Sequence, residues 1–355
     1  MQLIKSIEIR YFRSLYDVKL EKISDLSIIF GRNDVGKSNA IRALNLFFNY
    51  QTNPELLFDF KRDFSKVRFD EGAKKSGAKK FLYIKIVFNV PKNNQASLGE
   101  ELWVKRQWTT ESEATKSTQT SSVDTKPIRF LNTFLNAIDF TYIPAIKDRK
   151  IFENLLGRLY KALSTEKDFV ASLSNFTKEL DNKTKSLSKG LKDNISVHSS
   201  IAPPDNLQNL FKSLDFHTGP TNEQFSLTLQ RGDGVQVRHI PEILKFIADT
   251  DGTNYWHIWG FEEPENSLEY ASAIAEAKLF QTYSRSKNKQ IFITSHSPAF
   301  FGLQDEHTQK FLISTSETFG QSIIEPFNKS LHESSFKMGE MEYLQVATEA
   351  LEAKK

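Results

Sequence analysis

Short runs of alternating apolar and polar residues open the chain and predict strands. Leu3-Ile4-Lys5-Ser6-Ile7-Glu8-Ile9 and Val18-Lys19-Leu20 have the spacing of strands with one face to bury. Leu26-Ser27-Ile28-Ile29-Phe30 is almost continuously apolar and reads as a strand buried on both faces. At 39–48 the period changes, with Ala40, Ile41, Ala43, Leu44, Phe47 and Phe48 at helical spacing. The beginning of the chain is therefore a strand, a glycine loop and a helix.

Residues 81–90 (FLYIKIVFNV) and 102–108 (LWVKRQW) predict further strands in an antiparallel side sheet. The polar tract 109–127 has no apolar periodicity and reads as a surface loop. A strand at 140–144 is stopped by Pro144. From about 150 to 195 the pattern is helical, with Phe152, Leu155, Leu156, Leu159 and Leu163 on one stripe, and Ala202-Pro203-Pro204-Asp205 marks a break. A Gly-rich turn (230–234), a helix (240–249), a buried strand ending in acids (256–263) and a helix (268–286) follow. Next come the strand Gln290–Thr294, a turn holding His296, two strands at 310–327 around Gly320, and a terminal helix at 339–353. Strands alternating with helices indicate an α/β core to which both ends of the chain contribute.

The 355 residues are enough to bury a large core, and 39% hydrophobic with 26% charged residues describes a globular chain. Lys and Arg total 47 against 44 Asp and Glu, a net charge of +3 that excludes a histone-like binder but allows a local basic patch. The stretch 147–192 carries 11 Lys or Arg against 6 Asp or Glu. It reads either as a solvated helical face or as a nucleic-acid contact. Lys74, Lys75, Lys79 and Lys80 form a second basic cluster able to attract phosphate backbones. With no cysteine, disulfides, thiolate metal sites and cysteine nucleophiles are excluded. No apolar run approaches the ~20 residues that span a bilayer, and Met1-Gln2-Leu3-Ile4-Lys5-Ser6 has no signal-peptide arrangement. The expected location is the cytoplasm, with no membrane contact.

Four segments carry candidate chemistry. Gly31-Arg32-Asn33-Asp34-Val35-Gly36-Lys37-Ser38 matches G-x-x-x-x-G-K-[ST] between a buried strand and a helix. Its glycines let successive N–H groups face phosphate oxygens, helped by the positive end of the helix dipole. Lys37 then reaches the β- and γ-phosphates of ATP and Ser38 coordinates Mg²⁺. In the second segment, Ile258-Trp259-Gly260-Phe261-Glu262-Glu263, an apolar strand delivers two carboxylates to its carboxyl end. Glu262 is assigned to the Mg²⁺ shell and Glu263 to polarising the attacking water. The third, Ile291-Phe292-Ile293-Thr294-Ser295-His296, presents an imidazole to a γ-phosphate. The fourth, Arg231-Gly232-Asp233-Gly234, is either an ordinary turn or a set of backbone N–H groups offered to a nucleotide on another subunit.

Together these segments resemble the ABC-type ATPase head, in the branch shared by the structural-maintenance-of-chromosomes (SMC) and RecF-like ATPases. They look closest to the ATPase domain of the overcoming-lysogenization-defect (OLD) anti-phage proteins. "IKSIEIRYFRSL" is similar to the first strand and turn of that branch, and "FGRNDVGKSN" to its Walker A, with Asn33 and Asn39 typical of the group. "LQRGDGVQ" resembles its divergent signature motif, "FEEPENSLE" its Walker B and D-loop, "ITSHSPAF" its switch histidine and "FTYIPAIKDR" a segment frequent in OLD proteins. The resemblance implies a single head over 1–355, with an N-terminal lobe (1–148), a helical insertion (149–222) and a C-terminal lobe (223–355). It implies a mixed central sheet with the phosphate loop, an antiparallel side sheet, MgATP as cofactor, and a homodimer or higher homo-oligomer closed through ATP. OLD nucleases continue into a Toprim domain; here about 59 residues follow His296, without Asp-x-Asp. An ATPase without its own nuclease is therefore expected.

The leading functional expectation is an ATP-operated switch governing DNA engagement or a separate effector protein in phage defence. A RecF-like repair ATPase that clamps DNA directly is the alternative. A transporter subunit is disfavoured by the divergent signature, and a non-hydrolysing scaffold by the presence of Lys37, both acids and His296.

Overall fold

A computed structural model describes residues 2–54, 56–73, 80–111, 114–124, 127–185, 189, 207–251, 256–316 and 321–327. The chain divides into two compact units, Met1–Ile146 with Tyr255–Lys355, and Lys147–Asn254.

The first unit begins with β1 (Ile4–Phe12), β2 (Leu15–Leu20), β3 (Leu26–Phe30) and α1 (Lys37–Asn49). It continues through β4 (Gln51–Asn53), β5 (Leu56–Leu57), α2 (Phe60–Asp63), α3 (Lys66–Ala73), β6 (Phe81–Asn89) and α4 (Lys92–Leu98). Then come β7 (Glu101–Glu111), β8 (Ala114–Ser121), α5 (Ile128–Asn136) and β9 (Ile138–Ile143). The second unit holds α6 (Arg149–Leu163), α7 (Lys167–Lys183), α8 (Gln208–Lys212), β10 (His217–Thr218), β11 (Phe225–Ser226), α9 (Leu227–Gln230) and α10 (Asp233–Thr250). The first unit resumes with β12 (Trp256–Glu262), α11 (Tyr270–Ser284), β13 (Lys289–Ser295), α12 (Pro298–Phe301), β14 (Thr308–Thr315) and β15 (Ser322–Pro326).

Two sheets organise the first unit. The central sheet has the order β15-β14-β3-β13-β12-β9, parallel throughout except for β15. Every residue of β3, β12 and β13 is buried, polar ones included, as expected of parallel strands covered on both faces. Register decides what this sheet can do. Phe30 lies opposite Ser295, and Thr294 opposite Glu262, so the carboxyl ends of three neighbouring strands finish together. The loops that leave them are therefore brought to one edge, where ligands of parallel sheets collect.

The antiparallel side sheet has the order β2-β1-β6-β7-β8. Its inward residues, among them Ile7, Ile9, Ile84, Ile86, Phe88 and Val104, share one core with Ile41, Leu44 and Phe47 of α1 and with Ile258 and Phe292 of the central sheet. Helix α1 is thus buried between two sheets, and the phosphate loop at its start is mounted on the core. Gly260 makes that approach possible. A Cβ at this position would lie 2.6 Å from Ile41 Cγ2 and 3.0 Å from Phe140 Cζ, so a side chain on β12 would push α1 away.

Two expectations are corrected. The tract 109–127 is not a loop: β7 runs on to Glu111 and β8 pairs with it from Ala114 to Ser121. Strand β8 is the sheet edge and most of its described side chains are exposed, so it has no apolar face to generate a period, while its threonines suit extended backbone. The helix placed at 240–249 starts earlier, at Asp233. Pro241 suggests a boundary, yet it lies inside the helix and is buried with Val237, Ile240, Ile243, Leu244 and Ile247. The expected terminal helix at 339–353, the 202–205 break, Gly320, and Lys74, Lys75 and Lys79 lie outside the described residues.

Candidate active site

The loop between β3 and α1 is shaped by backbone that ordinary residues avoid. Gly36 caps α1 at φ 95° and Asp34 sits at φ 64°. At Gly36 a Cβ would also collide with the hydroxyls of Ser14 and Ser322, so only glycine fits. The Ser322 hydroxyl lies 2.7 Å from both Val35 O and Ser14 Oγ, and Asn39 Nδ2 donates to Ser14 Oγ at 2.9 Å. Strand β15 and the β1–β2 turn therefore brace the loop from outside. Arg32, Asn33 and Asp34 are exposed along its crest; Gly31, Val35, Ser38 and Asn39 are half-buried.

Lys37 is buried at the loop's centre. Its ammonium donates to Gly31 O (3.0 Å), Arg32 O (2.9 Å) and Asn33 Oδ1 (3.4 Å). Burial holds its pKa below the ordinary lysine value, against the opposing pull of Glu263 and Glu265. A desolvated ammonium among carbonyls has a strong electrostatic reason to meet an anionic ligand.

The acids after β12 have different surroundings. Glu262 is buried, and Tyr142 of β9 donates to its Oε1 at 2.6 Å. Arg42 of α1 reaches both of its oxygens, Nε lying 3.1 Å from Oε1 and Nη2 3.3 Å from Oε2. Burial opposes the charge on Arg42, but Glu262 and Tyr142 outweigh it and raise its pKa. Burial first, then Glu262, drives the Tyr142 phenol upward, so it remains a donor. These contacts, one from Tyr142 and two from Arg42, fix the plane of the Glu262 carboxylate.

Glu263 turns the other way, at φ 41°. Its N–H donates to Thr294 O at 2.8 Å, tying the turn to β13. Its Oε1 lies 3.7 Å from Lys37 Nζ and 3.5 Å from His296 Nδ1, and Asn266 Nδ2 donates to its Oε2 at 3.2 Å. The fold thus gathers Lys37, Glu263 and His296, which three separate motifs supply. A carboxylate held between an ammonium and an imidazole can accept a proton from water while the ammonium and the ring face phosphate oxygens.

Three residues of this cluster have no place among the sequence candidates: Arg42, Tyr142 and Glu265. Tyr142 and Glu265 stand inside segments that carry the family resemblance, while Arg42 is one helical turn beyond Ser38 on α1, and that spacing is the signal available for it. Among the described residues, no group of three or more His, Cys, Asp or Glu is arranged to hold a metal ion, and no helix is long and apolar enough to cross a membrane.

The segment 231–234 belongs to the second unit. Gly232 caps α10, Asp233 and Gly234 form its first turn, and a Cβ on Gly232 would meet nothing within 4 Å. Arg231 is committed locally: it donates to Thr218 Oγ1 (2.8 Å) and Thr218 O (2.7 Å), and its guanidinium lies over the Phe225 ring.

Comparison with known proteins bears on the fold and the family. A solved SmcHead bound to the C-winged helix domain of ScpA superposes with a TM-score of 0.62 at 15% identity, covering 94% of this chain and 99% of that one. An Smc head domain with an extended coiled coil, bound to the C-terminal domain of ScpA and derived from Pyrococcus furiosus, gives 0.57 at 14% identity, covering 97% and 100%. At such identities the likeness is one of fold, that of the SMC-type ATPase head. No curated protein sequence matches the chain. The model of the AAA ATPase domain family matches residues 1–138 and 143–301. The chain therefore belongs to the AAA ATPase domain family.

Proposed function

We propose that this ATPase is a molecular switch of the OLD type. Two copies close around MgATP, hydrolysis reopens them, and the cycle controls DNA engagement or a separate effector protein in anti-phage defence. The observation that carries the reading is the meeting of Lys37, Glu263 and His296 at one sheet edge. In it, the loop 31–39 binds the phosphates, Lys37 neutralises charge at the β- and γ-positions, Glu263 takes the proton of the attacking water, and His296 contacts the γ-phosphate. Ser38 and Glu262 hold Mg²⁺, which supplies charge neutralisation at the phosphates when bound. The turn 231–234 serves the nucleotide of the facing copy, where glycine permits close backbone approach. The OLD assignment is supported by "FGRNDVGKSN", "FEEPENSLE" and "FTYIPAIKDR". Nucleic acid is a further candidate partner, through the basic stretch 147–192.

The test is purification with co-expressed neighbouring gene products, followed by mass measurement with and without ATP, and incubation of plasmid and linear DNA with the isolated chain, Mg²⁺ or Mn²⁺ and ATP. An ATP-dependent change of assembly and no DNA cleavage by the isolated chain are expected. Cleavage that survives Glu263→Gln would reveal a second active site and overturn the separate-effector reading.

A further inference from the structure

Glu265 is buried, with a relative exposure of 7%, and two residues past the water-activating acid. Its Oε1 accepts from the Ser295 hydroxyl at 2.7 Å and from the His296 backbone N–H at 3.0 Å, and stands 3.7 Å from His296 Nδ1. Its Oε2 is also buried and has no hydrogen-bond partner. A half-satisfied buried carboxylate costs stability, and packing alone does not call for one. The contacts continue along the chain. Ser297 N–H donates to Ser295 Oγ at 3.0 Å, and Ser297 Oγ caps α12 by accepting from Ala299 N–H at 3.3 Å. The backbone on both sides of His296 is thus fixed from the turn that carries Glu263.

We infer that Glu265 is a positioning residue for His296: it clamps the end of β13 so that Nδ1 faces the two carboxylates and Nε2, on the far side of the ring, is left for the γ-phosphate. The inference rests on the reading of His296 given above. One turn, Glu263–Glu265, then sets both the acid that takes the water proton and the imidazole opposite it.

The experiment compares Glu265→Ala, Glu265→Gln, His296→Ala and the double variant Glu265→Ala/His296→Ala, with Glu263→Gln alongside. Three readouts are taken: backbone amide signals of protein labelled with ¹⁵N-histidine and free of nucleotide, ATP affinity by calorimetry, and kcat. The chain has seven histidines, so the His296 amide is identified by its loss in His296→Ala. In Glu265→Ala the His296 amide should shift and kcat should fall roughly 10- to 100-fold, with ATP affinity within about threefold of wild type. Glu265→Gln keeps the oxygen acceptor and should restore both the amide position and most of kcat. The double variant should be no slower than His296→Ala, since both changes remove one function. Multiplying losses, an unmoved His296 amide, or Glu265→Gln as slow as Glu265→Ala would overturn the inference. Should Glu265→Ala not fold, Glu265→Asp, one methylene shorter, should give the same shift and loss. Wild-type turnover in Glu263→Gln would instead refute the reading of the whole site; normal Glu265→Ala beside an inactive Glu263→Gln refutes this inference alone.

Discussion

Lys37 Nζ and Glu263 Oε1 lie 3.7 Å apart, joining the loop after β3 to the acid after β12 across the intervening strand β13. The pair exists because the three strands end together, Phe30 opposite Ser295 and Glu262 opposite its neighbour Thr294. Burial lowers the Lys37 pKa, and Glu263 and Glu265 oppose that shift.

Lys37→Ala removes the cation proposed for the β- and γ-phosphates together with three hydrogen bonds within the loop. ATP affinity measured by calorimetry should fall by about 100-fold or more, near 3 kcal/mol. Wild-type affinity would sink the phosphate-loop assignment.

Gly260→Val tests whether α1 needs the bare backbone of β12. The added side chain overlaps Ile41 and Phe140, and overpacking of this kind costs about 1–3 kcal/mol. A lower denaturation midpoint and weaker ATP binding are expected together, because α1 carries the phosphate loop. An unchanged midpoint would mean that the helix has room to move.

Lys310 of β14 supplies a pH test. Burial pushes its pKa down to about 8, and its ammonium lies 4.9 Å from the centre of the Phe301 ring. An unfolded lysine titrates near ~10.4. Between these values the unfolded chain binds more protons than the folded one, so stability rises with pH, and the penalty for burying the charge is fully present below the folded pKa. Lys310→Met should flatten this rise by up to about 1.4 kcal/mol per pH unit between pH 8 and 10, read from urea denaturation. Equal slopes for the two proteins would show that Lys310 titrates normally.

Gly234→Arg addresses closure. The site of the first unit is untouched, so ATP binding by the single chain should be normal, while the ATP-dependent increase in mass should disappear. Loss of nucleotide affinity in the isolated monomer would contradict a role in trans.

The parts of this site legible in the sequence were those encoded locally. A continuous apolar run, a glycine loop and a helical stripe identify β3, the phosphate loop and α1, and a strand ending in Glu262 and Glu263 identifies itself in the same way. Arg42, Tyr142 and Glu265 were not legible because each acts through a partner distant in sequence, and strand pairing together with the packing of α1 brings them to those partners. Strand β8 was missed for a different reason: an exposed edge strand has no buried face, so it leaves no alternation to read. The start of α10 was masked by Pro241, which packing tolerates inside the helix.

Glu263→Gln, assayed for phosphate release and for mass in the presence of MgATP, tests the central claim most directly. The amide keeps the shape but cannot take the proton of the attacking water, while Glu262, still held by Arg42 and Tyr142, keeps its place. Turnover should drop by roughly 100-fold or more, with ATP retained and a long-lived ATP-bound dimer in size-exclusion chromatography. Undiminished hydrolysis by a Glu263→Gln monomer would contradict the account; loss of hydrolysis only in Glu262→Gln, with Glu263→Gln losing Mg²⁺ dependence, would reverse the roles of the two acids.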